Sequence, residues 1–102
     1  MRKVMVQYTV KPDRASENEQ YIRTVFEALE REKPAGLRYA SFKLPDGVSF
    51  VHIAMHDGTA GENPLTALPE FQAFTAGIKD RCEIPPAPTV LGEIGSYNAF
   101  DS

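Results

Sequence analysis

The sequence predicts a single α+β domain with its elements in the order β-α-β-β-α-β. Three observations support that order. Four segments have the alternation or dense apolar content of strands, two have the three- and four-residue apolar spacing of helices, and Gly- and Pro-bearing breaks separate them. A chain of 102 residues, 42% hydrophobic and 25% charged, has the size and composition of one globular domain, residues 1–102.

Lys3 to Val10 (K-V-M-V-Q-Y-T-V) reads as the first strand. Val4, Val6, Tyr8 and Val10 share one face, with Met5, Gln7 and Thr9 opposite. Pro12 ends it, because proline donates no ladder hydrogen bond. Ser16 and Glu19 have the S-x-x-E spacing of a capping box, with Asp13 as an alternative cap, so a helix is expected to start there. Tyr21 or Ile22, then Val25, Phe26 and Leu29, form its apolar stripe. Pro34-Ala35-Gly36 stops it.

Leu37 to Leu44 and Val48 to Met55 are the second and third strands, joined by a tight turn at Pro45-Asp46-Gly47. His56 to Pro64 is a polar loop. The second helix has Pro69 in its first turn and is expected to carry Phe71, Phe74, Ile78 and Cys82 on one face, with Gly77 marking close packing on the sheet. Pro85, Pro86 and Pro88 then predict an extended connection, Thr89 to Tyr97 a fourth strand, and Asn98 to Ser102 a short tail.

This order is the split βαβ, or ferredoxin-like, unit. Its sheet is antiparallel, its first and third strands are central, and both helices cover one face. The other face should then be polar, yet the strands are apolar on both sides. The third carries Phe50 and Ala54 on one side and Val51, Ile53 and Met55 on the other. The simplest cover for the second face is another copy of the chain, so a homodimer is expected.

Three segments carry a family resemblance: the opening M-V-Q-Y-T-V-K-P-D-R, the hairpin R-Y-A-S-F-K-L-P-D-G-V-S-F-V-H-I-A, and N-P-L-T-A-L-P-E-F-Q-A-F leading into the second helix. With them the chain resembles the antibiotic-biosynthesis-monooxygenase-like (ABM-like) family of dimeric α+β barrels. The resemblance implies a barrel formed by two sheets and, for activity, cofactor-free oxygenation of a small aromatic or electron-rich substrate. It implies no cofactor. Haem-degrading relatives depend on an Asn, a Trp and a His, and this chain has no Trp. The alternative is a non-catalytic small-molecule-binding or stress-associated barrel.

Composition excludes other classes. A net charge of −3 and a pI near 5.3 argue against nucleic acid, which is bound by Lys and Arg neutralising phosphates. No apolar run reaches the ~20 residues of a membrane span or the apolar core of a secretion signal, so no membrane partner and a cytoplasmic location are expected. One cysteine precludes an internal disulfide.

The candidate chemistry centres on His52, the best catalytic candidate, with Tyr8, Arg38 and Tyr39 as further ligand-binding residues. His52 lies on a central strand between Val51 and Ile53, and reads either as a packed core histidine or as a pocket residue that binds or deprotonates an acidic substrate. His56 is expected in solvent. Four strand residues span about 13 Å, too far for both histidines to hold one metal ion, so no metal is expected. A three-residue turn would set Ala40 opposite His52 with Arg38 diagonal; a two-residue turn would set Ser41 opposite with Tyr39 diagonal. The first register is favoured, because Pro followed by Asp suits a type I turn with a glycine bulge. It would flank His52 with Ala40 and Ala54 and leave room for a ligand. Tyr97 is expected on the last strand, and Cys82 reads as a small buried apolar group.

Overall fold

A computed structural model describes residues 2–57 and 63–99. The middle of the polar loop expected over 56–64 and the end of the tail lie outside these residues. The elements are β1 (Arg2–Val10), a short 3-10 turn (Pro12–Arg14), α1 (Ala15–Glu32), β2 (Leu37–Lys43), β3 (Ser49–His56), α2 (Pro69–Ala76), α3 (Ile78–Arg81) and β4 (Cys82–Val90). The sheet is antiparallel with strand order β2-β3-β1-β4. This is the ferredoxin-like α+β arrangement, with the first and third strands central.

The start of α1 departs from the expected cap. Pro12 opens a 3-10 turn that runs straight into the helix, and Ala15 is already helical at φ −64°, ψ −44°. A capping side chain needs an extended backbone at its own residue. Ser16 lies inside the first turn, and no side chain caps the helix. Arg14 instead holds Glu17 through two hydrogen bonds of 2.8 and 2.9 Å. At the far end Lys33 takes the left-handed conformation, φ 45°, and its N–H donates to the Leu29 carbonyl at 2.8 Å.

The β2–β3 turn also resolves against the favoured register. The Gly47 N–H donates to the Leu44 carbonyl, which closes a β-turn with Pro45-Asp46 at its centre. Asp46 Oδ1 accepts from the Val48 and Ser49 N–H groups, and its Oδ2 accepts from Ser49 Oγ. The Leu44 N–H donates to the Ser49 carbonyl at 2.9 Å, and this pairing sets Ser41, not Ala40, opposite His52. Tyr39 takes the diagonal place.

The C-terminal third differs most from expectation. The second helix breaks at Gly77 into α2 and α3, and Cys82 opens β4 opposite Val10 rather than ending a helix face. A Cβ at Gly77 would stand 3.3 Å from the Arg81 guanidinium, so the close neighbour there is Arg81 and not the sheet. The proline run belongs to β4, with Pro88 paired to Val6. Edge strands tolerate proline because their outward N–H positions have no partner to lose. Leu91 to Ala99 follow as an irregular segment, so Tyr97 is off the sheet and 90% exposed.

The helices cover the face that carries Tyr8, Val10, Phe50 and His52, and Val25 and Ala28 of α1 complete the core. The opposite face presents Met5, Val51, Ile53 and Met55, all partly exposed, and Phe42, half exposed.

Candidate functional site

Alternation along β3 sends Phe50, His52, Ala54 and His56 to the helix side. Ala54 leaves a gap between the two histidines, and α2 bridges over it with Phe71 and Phe74. The result is a cavity of about 500 Å³ between sheet and helices, floored by Val6, Tyr8, Tyr39 and His52. Its walls are mainly apolar, with a few convergent polar groups, as small-molecule sites are built. A second hollow of about 580 Å³ lies between α1 and α2 around Glu17, Tyr21 and Pro69. It is shallower, opens widely to solvent, and has none of the buried histidine chemistry.

His52 is the centre of the cavity floor. It is 4% exposed and sandwiched by two tyrosines, with ring centroids 5.4 Å from Tyr8 and 5.8 Å from Tyr39, both nearly parallel. Its Nε2 lies 2.7 Å from Tyr8 Oη. Its Nδ1 lies 2.8 Å from Tyr39 Oη and 2.6 Å from Ser41 Oγ. Burial lowers the His52 pKa to about 4, so the ring is neutral at pH 7. Burial also pushes the Tyr39 hydroxyl up to about 12 and raises that of Tyr8 further. Each tyrosine is therefore a neutral hydroxyl group, able to donate and accept.

Behind Tyr8 the network continues into the core. Asn18 Nδ2 donates to Tyr8 Oη at 2.9 Å, and Arg81 Nε donates to Asn18 Oδ1 at 3.2 Å. Arg81 is 1% exposed, donates through Nη2 to the Phe74 carbonyl at 2.6 Å, and lies over the Tyr21 ring at 4.6 Å. Among the described residues no carboxylate lies within ion-pair distance of it.

The structure brings Tyr8, Tyr39 and His52 together. Arg38 it places elsewhere: the side chain is on the opposite sheet face, exposed, with Nη1 3.4 Å from the Ala99 carbonyl. The register explains this, because Arg38 pairs with Met55 and Tyr39 with Ala54. Ala40 moves to the far face for the same reason. His56, expected in solvent, is 4% exposed and lines the cavity, and its Nδ1 has no hydrogen-bond partner among the described residues. Among those residues no group of three or more His, Cys, Asp or Glu side chains is placed to hold a metal ion. Cys82 packs against the core, and burial raises its thiol pKa.

Sequence reasoning set Ser41 opposite His52 only in the register it did not favour, and missed Asn18 and Arg81. A signal existed for these two. Asn18 lies four residues before Ile22 on the α1 stripe, and Arg81 three residues after Ile78. A polar residue at a stripe position is either an error of pattern or a buried hydrogen-bonding group.

No family model matches the chain, and no curated protein matches it. Solved structures do. A crystal structure of an antibiotic biosynthesis monooxygenase is 21% identical with a TM-score of 0.76, over 93% of this chain and 100% of that one. Rv0793 from Mycobacterium tuberculosis is 19% identical with a TM-score of 0.75, over 93% and 96%. The N63A mutant of SnoaB, a cofactor-independent oxygenase from Streptomyces nogalater, is 16% identical with a TM-score of 0.67, over 93% and 94%. The chain thus has the ABM-like fold, in agreement with the resemblance carried by its hairpin. At these identities the likeness establishes the fold and leaves the chemistry to the site.

Proposed function

We propose that the protein is a cofactor-free oxygenase for a small, electron-rich aromatic compound, working as a homodimer. One observation carries this reading: a neutral, buried histidine is hydrogen-bonded to two tyrosine hydroxyls on the floor of an apolar cavity. The likeness to a structure described as a cofactor-independent oxygenase supports it.

Cofactor-free oxygenation needs a substrate that can supply both electrons itself. A phenolic anthrone, with a CH₂ group between two aryl rings, is such a compound. Removing one proton leaves an electron pair on the conjugated anion. That anion transfers one electron to O₂, the resulting radical and superoxide join through a new C–O bond, and the peroxide takes up a proton. Loss of water, with cleavage of the O–O bond, leaves a ketone. The balance is CH₂ + O₂ → C=O + H₂O, with carbon oxidised and oxygen reduced.

The chain's part is proton transfer and anion stabilisation. The substrate's proton passes to Tyr8 Oη as the Tyr8 proton passes to His52 Nε2. A basicity near 4 in the empty site makes His52 a weak acceptor. The anion forming beside it raises that basicity in the complex, and the apolar walls strengthen the attraction.

The test is oxygen uptake with 1,8-dihydroxyanthrone under ¹⁸O₂. The expected result is one labelled atom in the ketone, a rate well above the uncatalysed one, and loss of most of that acceleration in His52→Gln. A wild-type rate equal to the spontaneous one rejects the reading.

A further inference from the structure

Arg81 and Asn18 lie outside the cavity wall, yet they reach His52 through Tyr8 in an unbroken chain. The direction of that chain follows from chemistry. A guanidinium can only donate, so the Asn18 oxygen must face Arg81 and the Asn18 amide N–H must face Tyr8. Tyr8 Oη therefore accepts from Asn18. Among the described residues, its own proton has one acceptor within reach, His52 Nε2 at 2.7 Å. A protonated Nε2 would leave the Tyr8 hydroxyl proton with no protein acceptor among the described residues, on a side chain only 1% exposed in the ligand-free site, which is a costly state.

We propose that Arg81, acting through Asn18 and Tyr8, is a positioning residue that holds His52 with Nε2 bare and the proton on Nδ1. The proton on Nδ1 then donates to the Ser41–Tyr39 pair of hydroxyls at 2.6 and 2.8 Å. That occupies an acceptor on the pair and frees a hydroxyl proton. Of the two, Tyr39 lines the cavity, so its O–H points at the ligand. The site is thus polarised from end to end. Tyr8 hands a proton inward to a bare nitrogen, and Tyr39 offers one outward. The ligand it selects carries an acceptor oxygen, a ketone or quinone carbonyl or the oxyanion of a phenol. This ligand class rests on the proposed oxygenase reading; the tautomer does not.

The tautomer is read directly by two-bond ¹H–¹⁵N correlation of the His52 ring in the ligand-free protein, with no turnover required. The expected wild-type pattern is a protonated Nδ1 and a bare Nε2. Asn18→Asp reverses the polarity. Its carboxylate still accepts from Arg81 but cannot donate, so Tyr8 must donate to it, and the His52 proton moves to Nε2. A purely structural role for Asn18 would leave the tautomer where it was. A wild-type ring protonated on Nε2, or a variant ring unchanged, overturns the proposal. The wild-type measurement decides even if the variant fails to fold. The ligand class is tested with 1,4-naphthoquinone, which has acceptor oxygens only. Tyr39→Phe should weaken its binding about fivefold, the loss of one hydrogen bond of ~1 kcal/mol. Equal binding by both proteins removes Tyr39 as the donor. Absence of oxygenase activity with the expected tautomer present rejects the proposed reaction and leaves the positioning role standing.

Discussion

His52 shows how burial and hydrogen bonding act together on one side chain. Its folded pKa near 4 is below the unfolded value near 6.5, so between those values the unfolded chain binds more protons. Stability is therefore full above about pH 6.5 and falls as the pH drops toward 4, by about 3 kcal/mol in all. The groups around the ring do not supply a compensating charge: Tyr8 and Tyr39 stay neutral, and the nearest cation behind them is Arg81. Urea unfolding at pH 7 and pH 4.5 checks this, with His52→Gln as the control that should lose the His52 part of the slope. A second residue test separates the network from packing. Tyr8→Phe keeps the stacked ring but removes the hydroxyl that joins Asn18 to His52. It should cost about 2 kcal/mol, because a buried Asn18 donor loses its partner. A cost under about 0.5 kcal/mol, read from the same unfolding curves, would mean that the network carries little stability.

The β2–β3 hairpin carries the site at the scale of elements. Its turn decides which residues meet His52, and Asp46 decides the turn by accepting three hydrogen bonds. Hydrogen bonds to the charged form hold the Asp46 carboxyl below the usual range, so its contribution is present at neutral pH and is lost as the carboxylate protonates in acid. Asp46→Ala should lower the unfolding midpoint and broaden the His52 ring resonances as the register loosens. Sharp, unshifted resonances in a folded variant would show that the strands themselves hold the register. Gly47 is at φ +78°, and a Cβ added there would meet no atom within 4 Å. Gly47→Ala should therefore cost about 1–2 kcal/mol through backbone strain alone, measured as a shift in denaturant midpoint with unchanged slope.

For the whole molecule, the proposed homodimer would form on the sheet face away from the helices. Phe42 is 50% exposed there, beside Val51, Ile53 and Met55, and the irregular C-terminal segment exposes Ile94 fully and most of Tyr97. A second copy laid over this face would close the barrel that the resemblance implies, burying on the order of 1,200 Å² or more in total. Light scattering at micromolar concentration should give twice the chain mass, and Ile53→Lys should halve it. A wild-type monomer would rule this assembly out. No helix among the described residues is long and apolar enough to cross a membrane.

Element order, the alternation along the strands and the central place of His52 were legible in the residues, because alternation and helical spacing are local properties of the chain; which face of the sheet meets the helices is decided by tertiary packing. The apolar stripe of α1 and the central places of β1 and β3 needed no coordinates. The site was legible only in its strand residues. Tyr8 and Tyr39 could be named, but the favoured register put Arg38 and not Tyr39 diagonal to His52, and the observed pairing reverses that. A one-residue change in hairpin register sends one of them into the cavity and the other to the opposite face. Local signals at the turn admitted both registers, and the Asp46 hydrogen bonds chose between them. The prolines misled for a similar reason. Whether a proline breaks a strand depends on the strand being central or at the edge, and β4 is at the edge only through its pairing with β1. Arg81, Asn18 and Tyr8 are separated by 63 and 10 positions in the chain and meet in one hydrogen-bonded line. No sequence period encodes that meeting; it exists because α1 and the end of α3 are packed against the same strand face.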